Sequence, residues 1–214
     1  MRILLLILCV TLSSCVASTP KIITSSTTFH GPQHSQRGSV SVQPIDDYQR
    51  DSLEFNAVRT YLNQKLIGKG YVTAYTIADS DYVALITYGI DNGTTITSTA
   101  PIFGQTSGGS SYTSGSVNTG VSRATFNSTT TNIPTFGLVG AVPVSRRIYK
   151  RVVLINIWRN TNPPVKVYEM KGISTGSCGN VNGVVRYIID GMLTNFPGEN
   201  GITKNIDTKW EGDC

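Results

Sequence analysis

Charge is scarce in this chain of 214 residues: 14% are Asp, Glu, Lys or Arg, against about 25% in ordinary soluble domains. Histidine is scarcer still, with two residues, and aromatic side chains make up only 8%. No apolar run reaches the ~20 residues that a spanning helix needs, which excludes a polytopic helical membrane protein. Nine prolines and 21 glycines are too few for a collagen-like chain, and 39% apolar residues are too many for a wholly disordered one. What remains has the length of one domain and can bury a core without metals. Ser, Thr, Gly and Asn stand where charge would be, a bias common in exported chains.

The start of the chain supports export. Met1-Arg2 is followed by an unbroken apolar run over residues 3–10 (Ile-Leu-Leu-Leu-Ile-Leu-Cys-Val). A charged start and a short apolar stretch read as a secretory signal peptide, too short to span the membrane in the mature protein. Leu12-Ser13-Ser14-Cys15 comes next and resembles the lipobox of bacterial lipoproteins, which implies a signal peptide over 1–14 and acylation of Cys15 on its sulfur and its amine (a palmitate-type modification). The thiol suits thioether formation because it is the best nucleophile among side chains. An ordinary signal peptide cleaved after Ala17 is the alternative. Val16, not Asp, follows the cysteine, and within the resemblance this implies the outer membrane, with the protein facing the periplasm.

Cysteine arithmetic follows from that assignment. Cys9 leaves with the signal and Cys15 takes the lipid, so Cys178 and Cys214 remain. In an oxidising compartment this pair predicts a disulfide, with two free thiols as the alternative. His30 and His34 do not complete a zinc shell with these cysteines, so no metal site is expected. Without Arg2 the chain carries 17 basic and 13 acidic residues, a formal charge of +4. Much of the excess lies in Arg146-Arg147-Ile148-Tyr149-Lys150-Arg151. This run could meet anionic lipid, or be the solvated flank of a strand. It lacks the stacking aromatics of a nucleic-acid site, and none is expected as a partner.

Patterning organises the rest. Residues 15–38 read as a lipidated flexible tether, rich in Ser, Thr, Pro and Gln. Residues 39–214 read as a single domain. Ser39-Val40-Ser41-Val42 alternates as a strand would. Asp51 and Glu54 frame a capping box, and Phe55, Val58, Leu62 and Leu66 follow at helical spacing up to Gly68. Residues 81–88 and 151–158 are strongly apolar strands, and 165–173 pairs back after the Asn162-Pro163-Pro164 turn. Val181, Val184, Val185, Ile188, Ile189, Met192, Leu193 and Phe196 mark a final helix stopped by Pro197-Gly198. Between 94 and 132, 27 of 39 residues are Ser, Thr, Gly or Asn and Arg123 is the one charge. This insertion reads either as a mobile segment or as a long hairpin, since Thr favours strands. The order predicts an α+β fold: a mainly antiparallel sheet of about five strands with two amphipathic helices on one face.

Leu66-Ile67-Gly68-Lys69-Gly70-Tyr71, Asp79-Ser80-Asp81-Tyr82-Val83, Tyr168-Glu169 and Asn195-Phe196-Pro197-Gly198 together resemble the domain-of-unknown-function 4136 group of bacterial lipoproteins over roughly residues 39–200. The resemblance implies an anchored α+β domain facing the periplasm and transfers no catalytic residue.

The expected function is that of a non-catalytic cell-envelope lipoprotein, a binding or assembly component held to the membrane by its lipid, with an envelope protein or peptidoglycan as partner. No cofactor is expected. The alternative is a periplasmic hydrolase with a site near Asp79 and Asp81, the best-placed pair of carboxylates. Tyr82, Tyr88 and Tyr168 read as amphipathic sheet residues rather than a ligand cage.

Overall fold

The computed structural model describes residues 20–120 and 123–214. Cys15 and the signal segment lie outside them. The order is β1 (Lys21–His30), β2 (Ser39–Pro44), a 3-10 turn (Asp47–Gln49), α1 (Leu53–Ile67), β3 (Val72–Thr73), β4 (Tyr82–Ile90), β5 (Thr94–Gly120), β6 (Arg123–Arg159), β7 (Val165–Gly176), α2 (Val185–Thr194) and β8 (Thr203–Lys209). The chain divides into two compact units, Thr95–Arg147 and the rest.

The fold class expected from the sequence is overturned. Among the described residues the chain is mostly β, with two helices, and eight strands form one mixed sheet in the order β3-β2-β4-β6-β7-β1-β8, with β5 paired to β6. β2 runs parallel to both β3 and β4, while β4, β6, β7, β1 and β8 pair antiparallel in turn. The excess over five strands comes mainly from segments in which Ser and Thr conceal the pleat. Lys21–His30, inside the segment read as a tether, is β1 and lies between β7 and β8. Its inward residues are Ile22, Thr24, Ser26 and Thr28, all buried. Three of the four are polar, so hydropathy does not alternate although burial does.

The core forms where the helices meet the sheet. Tyr82, Ala84 and Ile86 of β4, Val153, Ile155 and Ile157 of β6 and Met170 of β7 alternate inward. A register shift at Ile157/Trp158 lets the consecutive Val167 and Tyr168 both be buried. Over this face α1 lays Phe55, Val58, Leu62 and Leu66, and α2 lays Val185, Ile188, Ile189, Met192 and Leu193. The cap of α1 is Ser52, whose hydroxyl accepts from Phe55 N–H at 3.4 Å, one residue beyond the Asp51 expected from the capping box. Between the helices Tyr61 donates to Asp190 at 2.7 Å, and Lys65 pairs with the same carboxylate at 2.7 Å. α2 sits close on β1 because Gly191 faces Thr24: a Cβ there would lie 2.8 Å from the Thr24 Cβ.

The Thr95–Arg147 unit is a ribbon of two strands. Hydroxyl pairs Thr97–Ser145 (3.0 Å), Thr106–Thr135 (2.8 Å) and Thr113–Thr130 (2.9 Å) cross it. The partners run in opposite directions along the chain, which makes the ribbon antiparallel.

Candidate functional site

The carboxylates singled out in the sequence are structural anchors. Asp81 Oδ2 accepts from the Ser39 backbone N–H and from its hydroxyl, each at 2.8 Å, which ties the start of β4 to the start of β2. Gly38 makes room for it, since a Cβ there would come 2.5 Å from Asp81 Oδ2. The bond from the Ser39 backbone, then that from its hydroxyl, hold the Asp81 carboxyl below its ordinary value. Asp79 Oδ2 accepts from the Thr76 hydroxyl at 2.6 Å, closing its own turn. A carboxylate held ionised by donors does not supply a proton, so Asp81 is poorly suited to general acid work. Replacing Asp81 by Asn is expected to lower stability modestly at pH 7. A depressed folded-state pKa contributes stability above the unfolded value, about 3.9, and loses it as pH falls through the folded one. The gap between wild type and Asp81→Asn should therefore narrow in acid, as read by urea unfolding at pH 7 and pH 3.

The histidines are held as well. His30 closes β1, and its ring centroid is 4.0 Å from that of His34. His34 Nδ1 donates to the Gly31 carbonyl at 2.9 Å, and Tyr168 Oη donates to the His34 carbonyl. Beside them the Arg37 guanidinium lies 5.0, 5.4 and 5.9 Å from the rings of Tyr71, Phe196 and Tyr168. Three rings could hold a cationic ligand, but this chain fills the cage with its own arginine. Arg37 is fixed there by Nε donating to the Lys69 carbonyl at 3.0 Å. Burial pushes the Tyr71 and Tyr168 hydroxyls up, so both stay protonated at neutral pH.

The basic run gives a different result. Of its members Arg151 is 3% exposed, and on β6 it lies opposite Ser174 of β7. Among the described residues its Nη2 reaches only the Ser174 hydroxyl, at 3.5 Å, and its Nε has no hydrogen-bond partner. Desolvation lowers its pKa, yet a guanidinium remains charged at any physiological pH. Gly176 admits the group, since a Cβ at that position would meet Arg151 Nη2 at 2.5 Å. Arg151 lines a cavity of about 120 Å³ together with Lys21, Thr175, Ser177, Cys178 and Trp210.

Two features frame that cavity. The Cys178–Cys214 disulfide, expected from the sequence, is present, with Cα atoms 5.4 Å apart. The Trp210 backbone N–H donates to the Pro20 carbonyl at 2.9 Å, pinning the tail beside the start of β1. The Trp210 indole Nε1–H has no acceptor among the described residues. Lys21 is already paired with Asp207 at 2.5 Å. A buried guanidinium whose one side-chain hydrogen bond among the described residues is the 3.5 Å contact to Ser174 matches a carboxylate or phosphate group, which its forked donors would pair with. The sequence hid this because Arg151 begins an apolar strand and reads as its solvated flank; a charge at an inward position of the pleat was the available signal. Among the described residues no three His, Cys, Asp or Glu side chains gather as a metal site.

No family model matches this chain. No curated protein does either. Among solved structures the chain is similar to a PDZ domain protein from Parabacteroides distasonis, with 11% identity and a TM-score of 0.45 over 90% of this chain. It spans about 40% of that protein's length. It is also similar to the PelC dodecamer from Paraburkholderia phytofirmans, with 13% identity and a TM-score of 0.36, covering 83% of this chain and 99% of that one. Likeness at this level carries no argument about activity.

Proposed function

We propose that the chain is a cell-envelope lipoprotein, anchored through acylated Cys15, that works as a non-catalytic binding or assembly component at the outer membrane. The observation that carries this reading is Leu12-Ser13-Ser14-Cys15 placed directly after the apolar run of residues 3–10. Its energetic logic is that one acyl chain holds a protein marginally, whereas two, at about 0.8 kcal/mol per buried CH₂, hold it stably. The Cys178–Cys214 disulfide suits an oxidising compartment, and the resemblance of residues 39–200 to the lipoprotein group named above points the same way. Binding is assigned to the Arg151 cavity, whose guanidinium has no carboxylate partner among the described residues and would receive a carboxylate or phosphate on an envelope partner. The hydrolase reading is less favoured, because Asp79 and Asp81 are already engaged by Thr76 and Ser39.

Cells fed a labelled fatty acid test the anchor. Wild type is expected to incorporate the label and Cys15→Ser to incorporate none. A labelled Cys15→Ser protein, or an unlabelled wild type, would overturn the assignment.

A further inference from the structure

The Thr95–Arg147 ribbon exposes what a water-soluble protein hides. Phe136, Leu138, Val142 and Val144 occupy alternate positions of β6 and are 76, 63, 43 and 45% exposed. Successive strand residues point to opposite faces, so these four share one side. The hydroxyls of Thr135 and Ser145 are on the other side, paired across the ribbon with Thr106 and Thr97. On β5, Ile96, Ile102 and Phe103 are exposed too. From 95 to 145 the only charged residue is Arg123, and Arg146-Arg147 follows at once. A lone two-stranded ribbon is marginal in water. Its long edges would also template aggregation, and soluble proteins block such edges with Lys, Glu or bulges. Here charges are missing, and Pro101, Pro134 and Pro143 each remove a single N–H, leaving most of both edges able to pair.

We infer that this ribbon enters a lipid bilayer as one segment of a β-barrel closed by further copies of the same chain. The inference rests on the envelope address proposed above and adds a membrane-spanning role to it. The dimensions fit. Residues 134–144 span about 35 Å at 3.3 Å each, and a tilt near 45° covers the ~25 Å apolar band of an outer-membrane barrel. The alternation fits on β6 as well, with Phe, Leu and Val facing hydrocarbon while Thr, Gly, Ala and Ser face a lumen; Val139, and one of the consecutive β5 residues Ile102 and Phe103, are exceptions on the lumen side. Closure by copies is required rather than optional. Hydrocarbon cannot satisfy backbone N–H and C=O groups, so a ribbon with two bare edges is not tolerated there alone. Among the described residues β5 pairs only with β6, and each copy supplies two strands, so about four copies are the fewest that reach the smallest barrels, of 8 strands. No described helix is long and apolar enough to cross a membrane, which leaves the ribbon as the described element suited to do so.

The test uses the full-length acylated protein in phospholipid vesicles, with single cysteines placed along β6. Cys15 is lipidated and Cys178 is bonded to Cys214, so an introduced thiol takes an environment-sensitive dye selectively. Dyes at Phe136→Cys, Leu138→Cys, Val142→Cys and Val144→Cys are expected to shift to the blue and to be extinguished by a lipid-borne quencher. Dyes at Thr135→Cys, Gly137→Cys, Ala141→Cys and Ser145→Cys are expected to stay accessible to an aqueous quencher. Crosslinking between β5 and β6 of different copies is expected in the same vesicles. Aqueous dyes at all eight positions, in protein whose acyl label is intact, would sink the barrel and leave the anchor standing. Loss of the label with the alternating pattern retained would do the opposite. Lipid-exposed dyes without crosslinked copies would also overturn closure by this chain.

Discussion

Reducing the Cys178–Cys214 disulfide is expected to destabilise the protein by about 4 kcal/mol. The bond joins residues 36 apart in sequence, and the loop-closure entropy it removes from the unfolded chain comes to about 4 kcal/mol in the chain-entropy model. At ~2–4 °C per kcal/mol for a chain of this size, the melting temperature should fall by roughly 8–16 °C. The loss should reach the cavity, because few other bonds hold the end of the chain. Beyond β8 the tail is fixed by Trp210 N–H to the Pro20 carbonyl at 2.9 Å and by Glu211 N–H to Tyr187 Oη at 3.3 Å. Urea unfolding with and without reductant, beside a Cys178→Ser/Cys214→Ser double variant, measures the effect. Equal midpoints in all three samples would mean that the loop is already constrained by β8 pairing and that the bond adds nothing.

Elements whose apolar period was undisguised were legible in the sequence. Phe55, Val58, Leu62 and Leu66 bury the face of α1, and Ile188, Ile189, Met192 and Leu193 that of α2. The strands of β4 and of the last third of β6 were equally plain, because apolar residues crowd both, with Ala84 and Ile86 inward on β4 and Val153, Ile155 and Ile157 inward on β6. What was missed has one cause. β1 turns Thr24, Ser26 and Thr28 inward, and at Thr24 Gly191 of α2 comes too close for a larger side chain. β8 (TKNIDTK) consists mostly of polar residues, with Ile206 its one apolar side chain. Composition marked β1 as a tether, and the tail that holds β8 received no strand assignment. The histidines show the same limit: read as tether residues, they are ordered by the β1 end and by Tyr168, a contact across 134 residues of chain. Sequence spacing carries local period well and carries such distant packing hardly at all.

Arg151→Met is expected to reverse its sign with the anion present. Removing an ion from water is costly, and replacing buried ionic groups by apolar ones of similar volume is often neutral or stabilising by about 1–4 kcal/mol. Among the described residues Arg151 has only a 3.5 Å contact to Ser174 and no carboxylate partner to offset that cost. In chloride buffer the Met variant should therefore be as stable as wild type or more so. Inorganic phosphate or acetate at matched ionic strength should stabilise wild type by about 2.7 kcal/mol when present at 100 times its dissociation constant. The Met variant should gain nothing, having lost the forked donors. Arg151→Lys keeps the charge without the fork and should retain part of the response. Thermal melts of the three proteins across the anion series decide the matter. Equal stabilisation of wild type and Arg151→Met by phosphate would make the effect a general salt effect. A loss of several kcal/mol in Arg151→Met regardless of anion would make the guanidinium a structural member of the sheet and end its claim to a ligand.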